Sequence, residues 1–255
     1  MRLKEEKERK LKAFFNAHGR VAIAFSGGAD SAYLLATAKK FGVDFRAYFV
    51  VNGFQPYFEV ADARQFCKNL NIELVEITQN ALDDENIFRN DGKRCYYCKK
   101  KMFEAIARQA MADGCDVIAD GTNASDDVAE RAGFVALAEL GVVSPLRETG
   151  ITKDDVRNFS KTEGVKTWNK PSYSCLATRI QSGDKITKDK LQKIEQGESV
   201  LLEYGFSNFR LRLKDKGATL ELDVGDSEKY EAISSEIKSK LQPIVGEVKE
   251  GERRK

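Results

Sequence analysis

Residues 21–31 read Val21-Ala22-Ile23-Ala24-Phe25-Ser26-Gly27-Gly28-Ala29-Asp30-Ser31. The first five form an apolar run, which predicts a strand buried on both faces of a sheet. The last six join this strand to a helical stretch that runs to about residue 40. Glycine lets the backbone turn sharply and approach an anion, and the N–H groups of such a turn and of the following helix face that anion. The stretch therefore predicts a phosphate-binding loop in an α/β fold.

The side chains of this loop suit a nucleotide. We expect Ser26 and Ser31 to donate hydroxyl hydrogen bonds and Asp30 to hold a Mg²⁺ that bridges phosphates. The loop is not a Walker A loop, because no Gly-Lys-Ser/Thr follows at the required spacing. Two glycines alone would be an ordinary turn, but the whole Ser-Gly-Gly-x-Asp-Ser hexamer favours a phosphate site. The predicted ATP or pyrophosphate contacts in the loop are Ser26, Gly27, Gly28, Asp30 and Ser31.

Strands and helices alternate after this loop. Strands are predicted at 45–51, 72–77 and 116–119, and helices at 57–70, 99–112 and 126–140. This alternation predicts an α/β fold with a doubly wound parallel sheet. Thr152-Lys153-Asp154-Asp155 resembles a capping box, with Asp in place of the usual Glu, at the start of a last short helix.

The pattern changes after this helix. Residues 168–184 have no clear period and indicate a functional loop or linker. Helices at 188–203 and 227–241 flank two strands, 209–213 and 219–224. We therefore predict a first domain over 1–180 and a small α+β domain over 181–255, near the lower size limit for independent folding.

The composition excludes some classes of function. Of 255 residues, 42% are hydrophobic and 32% charged, and the net charge of +2 does not indicate a nucleic-acid coat or a polybasic membrane anchor. No apolar run reaches the roughly 18 residues that a membrane span needs. Residues 1–12 are rich in Lys and Glu, unlike a signal peptide. We expect a cytoplasmic protein with no membrane partner and no nucleic-acid partner.

A second polar group follows a strand end at Asp120-Gly121-Thr122-Asn123. Ligands bind at the carboxyl ends of strands in open α/β sheets. An Asn/Asp-rich turn that caps the next helix would be the simpler explanation for any one of these residues. Three further ATP contacts are predicted in this region: Asn123, Asp127 and Arg131.

Three cysteines suggest a metal site. Cys95 and Cys98 precede the helix predicted at 99–112, and Cys175 lies in the irregular 168–184 segment. A structural zinc site needs four ligands, so three cysteines would have to be joined by one more ligand. An iron–sulfur cluster bound by three cysteines leaves one iron open. The spacing of the cysteines permits either site. Nearby Lys93, Arg94, Lys99 and Lys100 would favour thiolates. The phosphate loop favours the cluster, because sulfur insertion needs both an activated oxygen and a sulfur donor. Cys67 and Cys115 are predicted to be buried thiols.

The phosphate loop resembles that of the PP-loop ATP pyrophosphatase superfamily. This resemblance implies cleavage of ATP between the α and β phosphates, with AMP passing to a substrate oxygen. Over nearly the whole chain the sequence also resembles the LarE family of ATP-dependent sulfur transferases. The motifs that carry this resemblance are the phosphate loop, Cys-Tyr-Tyr-Cys-Lys (95–99), Asp-Gly-Thr-Asn (120–123), Ser-Pro-Leu-Arg (144–147) and Trp-Asn-Lys-Pro-Ser (168–172).

The LarE resemblance implies a substrate and a sulfur source. The substrate is a pyridinium dicarboxylate mononucleotide, whose carboxylate is adenylated and then converted to a thiocarboxylate for nickel-pincer nucleotide synthesis. Some members sacrifice one cysteine as the sulfur donor. This chain departs from them by its three cysteines, so the resemblance implies a [4Fe-4S] cluster on Cys95, Cys98 and Cys175 that is supplied by a sulfide donor. Cys175, Asp30 and Lys101 are the predicted catalytic residues.

Charged residues of the second domain are the predicted substrate-phosphate region. Arg210 and Arg212 alternate on one strand face, with Glu221 on the adjacent strand. A cross-strand ion pair on a solvated face would explain them equally, but guanidinium groups also match phosphate. Arg179 is a weaker candidate for the same role. The family also implies a homo-oligomer, in particular a hexamer.

Two other functions remain open from the sequence. A tRNA thiolase pairs the same loop with the same three cysteines, but it predicts a basic face or an added zinc module for RNA. A nucleotide-binding protein with a structural zinc predicts zinc and no labile sulfide.

Overall fold

The computed structural model describes residues 2–127, 132–214 and 216–251. The chain forms two compact units, one from residues 1–53, 57–80 and 95–170, and one from 54–56, 81–94 and 171–255. The strands are β1 Val21–Ala24, β2 Phe45–Val51, β3 Leu74–Thr78, β4 Val117–Ala119, β5 Phe209–Lys214, β6 Gly217–Leu222 and β7 Glu247–Glu250. The helices are α1 Arg2–Asn16, α2 Ala29–Phe41, α3 Tyr57–Asn69, α4 Glu85–Phe88, α5 Arg94–Ala112, α6 Ala132–Glu139, α7 Pro145–Glu148, α8 Lys153–Thr162, α9 Lys188–Glu203 and α10 Ser227–Val245.

The first unit contains a parallel sheet in the order β3-β2-β1-β4. Val143 continues the sheet beside β4 through a parallel bridge to Ala119. The direction of strand order reverses between β1 and β4, since β2 and β3 lie on one side of β1 and β4 on the other. The loop after β1 and the turn after β4 therefore flank the switch point, where open α/β sheets bind ligands.

Helices cover both faces of this sheet. Val21 and Ile23 of β1 join a core cluster with residues of α1, α2, α3 and α8. Ala22 and Ala24 face the other way and pack with Phe103, Ile106 and Leu137 from α5 and α6. This burial on both faces explains the unbroken apolar sequence of β1 and confirms the predicted doubly wound α/β fold.

The second unit contains a small mixed sheet. β5 and β6 pair antiparallel, and β7, which the sequence did not predict, pairs parallel with β6. Their apolar residues form one core with α9 and α10 that includes Leu211, Leu220 and Leu241. β6 begins at Gly217, two residues before the predicted strand. The predicted boundary between domains at residue 180 stays a prediction.

Two sequence expectations about helices have clear outcomes. The capping box at the start of α8 is present, with the Thr152 hydroxyl on the Asp155 N–H and the Asp155 carboxylate on the Thr152 N–H. The helix predicted over 99–112 begins earlier, at Arg94. In the described part of the chain, no helix has the length and apolar character needed to cross a membrane.

Candidate active site

The loop after β1 is held by its own serines. The Ser31 hydroxyl accepts from the Ser26 N–H at 3.2 Å, donates to the Gly28 carbonyl at 3.2 Å, and lies 3.1 Å from the Ser26 hydroxyl. Gly27 has a φ of 79°, the left-handed region that glycine tolerates. Gly28 is the N-cap of α2 and, having no side chain, gives that helix no capping bond. The first N–H groups of an α-helix lack partners within the helix, so this end of α2 suits an anion.

The turn after β4 lies directly against this loop. A Cβ on Gly121 would be only 2.7 Å from the Ser31 nitrogen and 2.9 Å from its Cα. Asp120 fixes the turn by accepting from the Thr122 N–H at 3.1 Å and from the Ser144 hydroxyl at 2.7 Å. Glycine at position 121 therefore lets the two strand-end segments meet backbone to backbone.

Asp30 lies where these segments meet. Its Oδ1 accepts from the Asn123 amide at 3.3 Å, and its Oδ2 lies 2.6 Å from the Lys153 ammonium. The structure thus brings together the predicted residues Asp30 and Asn123 with a lysine that the sequence analysis missed. The sequence did contain an indication of this role. Lys153 is the first residue of α8, where a positive charge is unfavourable beside the helix dipole, so a lysine at this position indicates an interaction with another group.

A second missed group lies beside Gly27. A Cβ on Gly27 would be 3.6 Å from the Glu59 carboxylate. Lys170, from the Trp-Asn-Lys motif, places its ammonium 2.9 Å from Glu59 and 3.1 Å from Asp62. Burial raises the pKa of Glu59, and the Lys170 ammonium opposes that rise. The Lys170–Glu59 ion pair joins the last residue of the first unit to α3, next to the phosphate loop.

The remaining predicted ATP contacts have different positions. Asp126, which was not a predicted contact, accepts from the Asn123 N–H at 3.0 Å and so shapes the turn. Asp127 is exposed. Arg131 lies outside the described residues.

Cys95 and Cys98 lie within the first turns of α5, not before a helix as the sequence predicted. The helix extends through the pair because neither Gly nor Pro interrupts residues 94–112. Three residues apart, the two thiols share one side of the helix. The Asn52 amide, at the end of β2, lies 3.5 Å from the Cys98 sulfur and 3.3 Å from the Met102 sulfur.

Three of the four basic residues predicted to favour thiolates contact other groups. The Lys99 ammonium lies 5.2 Å from the centre of the Phe134 ring, and Lys100 reaches the Tyr96 hydroxyl and Glu139. Arg94 donates to the Ala177 carbonyl at 3.0 Å. Lys101 is half-buried, and its carbonyl accepts from the Gln79 amide at 3.1 Å.

None of the five cysteines forms a disulfide, and all five lie in the described residues. Cys67 is buried as predicted, and burial raises the pKa of its thiol to about 11. Cys115 is only half-buried, with its sulfur 3.5 Å from the Tyr48 hydroxyl.

In the second unit, Cys175 lies in a loop that buried charges hold. Arg179, with no exposed surface, forms two hydrogen bonds to Glu198, at 2.8 and 3.1 Å. The same guanidinium donates to the Ser174 carbonyl at 2.8 Å and lies over the Tyr173 ring. Glu198 also accepts from the Tyr173 hydroxyl and, at 3.0 Å, from the Leu211 N–H. The Arg179–Glu198 pair therefore holds the backbone at Ser174 and Cys175.

The arginines of β5 also contact this loop. Arg210, 5% exposed, donates to the Ser172 carbonyl at 2.9 Å and lies near the Ser174 hydroxyl. Arg212 donates to the Thr178 carbonyl at 2.8 Å and pairs with Glu221 at 2.5 Å. The Arg212 side chain keeps 40% of its surface exposed. A group of three or more His, Cys, Asp or Glu side chains that could hold a metal ion is not found among the described residues.

Comparison with known proteins agrees with this arrangement. A family model described as a PP-loop domain matches residues 3–137. An uncharacterized protein from Synechocystis is 32% identical over 219 residues, 86% of this chain and 82% of that protein. Pyridinium-3,5-bisthiocarboxylic acid mononucleotide synthase from Lactiplantibacillus plantarum is 28% identical over 88% of this chain and 82% of its own length. A probable sulfurtransferase from Methanocaldococcus jannaschii is 29% identical over 42% of this chain and 36% of its own.

Proposed function

The chain belongs to the PP-loop domain family and is a LarE-like ATP-dependent sulfurtransferase, and from that premise we propose that it converts a carboxylate of a pyridinium dicarboxylate mononucleotide into a thiocarboxylate. This reaction would contribute to the synthesis of a nickel-pincer nucleotide cofactor. The similarity to the Lactiplantibacillus synthase over 88% of the chain supports this choice of substrate.

One observation carries the ATP-dependent half of the proposal. The uncapped start of α2, the Ser26–Ser31 hydroxyls and the Asp30 carboxylate converge at the switch point of the sheet. In the reaction, a substrate carboxylate oxygen attacks the α phosphorus of ATP, and the bond to pyrophosphate breaks with its electron pair on the leaving group. Backbone N–H groups and serine hydroxyls aimed at the phosphates stabilise the charge that develops there.

Mg²⁺ fits the Asp30 carboxylate. A cation of the chain, the Lys153 ammonium, already lies at this oxygen, and carboxylate oxygen is the ligand that Mg²⁺ prefers. When bound, Mg²⁺ would neutralise charge on the phosphates. Asp30 is the residue that would hold it.

The second half of the reaction needs sulfur. A sulfur nucleophile attacks the carbonyl of the acyl-adenylate, the bond to AMP breaks, and AMP leaves with the electron pair. We propose that Cys95, Cys98 and Cys175 are the residues that would hold a [4Fe-4S] cluster, which would supply an iron site for sulfide. In support, Cys95 and Cys98 share one helix side and the Cys98 sulfur has an amide N–H donor nearby. Lys101, one turn after Cys98, is proposed as a catalytic residue near the same pair.

Binding of the substrate phosphate is proposed for the β5–β6 region. Arg212 is the better candidate of the two strand arginines, because its side chain keeps exposed surface while Arg210 is buried against the cysteine loop. Glu221 holds the Arg212 guanidinium.

We also propose Asp127 and Arg131 as ATP contacts. We propose further that the protein is a cytosolic homo-oligomer that receives sulfide from a donor.

The first experiment separates adenylation from sulfur transfer. Exchange of labelled pyrophosphate into ATP is measured with and without the pyridinium dicarboxylate mononucleotide, and the product is analysed for a thiocarboxylate by mass spectrometry. Substrate-dependent exchange together with a mass gain of sulfur in place of oxygen supports the proposal. Exchange that no carboxylate substrate stimulates contradicts it.

The second experiment tests the cluster. Iron, labile sulfide and zinc are measured on anaerobically purified protein, with Cys175→Ala as the test and Cys67→Ala as the matched control. We expect about four irons per chain in the wild type and in the control, with iron lost in Cys175→Ala. Zinc, or no metal, would exclude the cluster and leave Cys175 as a sacrificial sulfur donor.

A further inference from the structure

Met102 places a third sulfur atom beside the Cys95–Cys98 pair of α5. The Met102 Sδ lies 3.9 Å from the Cys98 Sγ. Around the axis of an α-helix, Cys98 is about 60° and Met102 about 20° from the direction of Cys95, so the three side chains share one face. Cys95 is exposed, and Cys98 and Met102 are half-buried. This face of α5 therefore carries two thiols and one thioether.

A buried amide faces the same sulfur atoms. Asn52 directly follows β2 and is 4% exposed. Its Nδ2 lies 3.5 Å from the Cys98 Sγ and 3.3 Å from the Met102 Sδ. Thiol and thioether sulfurs accept hydrogen bonds only weakly, whereas a metal-bound thiolate is a charged acceptor. The Asn52 amide therefore has its strongest acceptor when the Cys98 sulfur binds a cation.

The ends of two strands fix α5 at this point. Gln79 directly follows β3, and its amide donates to the Lys101 carbonyl at 3.1 Å. The Gln79 N–H donates to the Val51 carbonyl at 2.9 Å, which joins this residue to the end of β2. These residues and the three sulfur-bearing side chains all belong to the first unit. The sulfurs are thus positioned by a helix and two strand ends rather than by a loop.

The set of donor atoms selects a soft metal ion. Mg²⁺ and Ca²⁺ bind oxygen ligands, and a structural zinc site needs four ligands. Thiolate and thioether sulfurs together favour Cu(I), which is satisfied by few ligands. The thioether of methionine is polarizable and serves copper as a weak ligand beside stronger thiolates.

We propose that Cys95, Cys98 and Met102 form a Cu(I) site on α5, with the Met102 thioether as the weak third ligand. Binding forms one Cu–S bond to each cysteine and releases both thiol protons to water, and copper stays Cu(I) throughout. The resulting complex is anionic, and the Asn52 amide stabilises it by donating to its sulfurs. The site requires neither adenylation nor an iron–sulfur cluster. Cu(I) would compete with the cluster for Cys95 and Cys98, and only this consequence rests on the proposed function.

The test measures binding of Cu(I) to the full chain, reduced and free of iron, by anaerobic competition with bicinchoninate. The variant is Met102→Leu, which nearly conserves volume. Met111→Leu is the matched control, because Met111 lies on the same helix and is 78% exposed. We expect Met102→Leu to bind Cu(I) about tenfold more weakly, the lower end of what loss of a supporting group costs a metal site, and the control to match the wild type. X-ray absorption at the copper edge should show three sulfur neighbours in the wild type and two in Met102→Leu.

Cys175→Ala distinguishes the copper site from the cluster. This variant lacks one proposed cluster ligand but keeps all three sulfurs of α5, so its affinity for Cu(I) should equal that of the wild type. Loss of Cu(I) in Cys175→Ala would overturn the proposal, since copper would then occupy the cluster cysteines. Equal affinity in Met102→Leu and the wild type, with two sulfur neighbours in both, would also overturn it. Neither result depends on pyrophosphate exchange or iron content, so the copper site and the proposed function can fail separately.

Discussion

The loop after β1 and the loop around Cys175 are both short and irregular, yet they are held in opposite ways. Serine hydroxyls, glycine conformations and close backbone contact hold the first. Buried guanidinium groups that donate to the Ser172 and Ser174 carbonyls hold the second. A loop of the first kind leads into a helix whose first N–H groups have no side-chain cap. A loop of the second kind has its backbone carbonyls satisfied by long side chains from elsewhere in the sequence.

The largest expected effect concerns the buried pair behind the cysteine loop. Glu198→Gln leaves the Arg179 charge buried without its partner and should lower the free energy of unfolding by about 3 to 5 kcal/mol. The double variant Arg179→Met/Glu198→Leu should recover only part of this loss, since both charges are then gone but the Ser174 carbonyl and the Leu211 N–H lose these partners. Urea unfolding followed by circular dichroism measures both. A cost below about 1 kcal/mol for Glu198→Gln would show that water screens the pair and that the contrast between the loops is wrong.

We expect substitution of Asp30 to lower activity strongly and stability only slightly. Asp30→Asn removes the charge that would hold Mg²⁺, and we expect pyrophosphate exchange to fall by about 10²–10³-fold. The partly exposed pair with Lys153 contributes only about 0–1 kcal/mol, so the melting temperature should change little. A large loss of stability with retained exchange would mean that Asp30 is structural, as Glu198 is.

Gly121 tests whether close backbone contact holds the phosphate loop. In Gly121→Ala the new Cβ would meet the Ser31 backbone at 2.7 Å, so the loop must shift. We expect about tenfold weaker ATP binding, since the N–H groups then miss the phosphates. Gly92→Ala is the matched control, because nothing lies within 4 Å of its added Cβ. Equal ATP binding in both variants would show that the loop adapts.

The same contrast explains what the sequence could predict. The Ser-Gly-Gly-x-Asp-Ser loop follows from local chemistry, because its function depends on residues adjacent in the chain. Arg179 and Arg210 could not be assigned in this way: a long guanidinium side chain reaches carbonyls many positions away, and the sequence pattern does not show which. Lys153 was missed for a related reason, since its partner Asp30 is 123 positions away. β7 was missed because its residues, Glu247–Glu250, alternate weakly and pair only at the edge of the small sheet.

The smallest expected effect concerns helix caps in the two units. Burial alone would raise the pKa of Asp155, but hydrogen bonds from Lys7 and from Thr152 lower it below its ordinary value. A carboxyl whose pKa is lower in the folded state stabilises the protein above its unfolded pKa, about 3.9, and loses that contribution as the pH falls through its folded pKa. Asp155→Asn should therefore cost about 1 kcal/mol at pH 7 and less at pH 3.

Thr187→Ala is the comparison that makes this result informative. Thr187 caps α9 in the second unit by accepting from the Lys190 N–H at 3.2 Å, and that bond does not involve a carboxylate. Its loss should also cost about 1 kcal/mol, but equally at both pH values. Urea unfolding of both variants at pH 7 and pH 3 measures the difference. Parallel pH dependence would show that the Asp155 carboxylate contributes no more to stability than a neutral hydrogen-bond partner would.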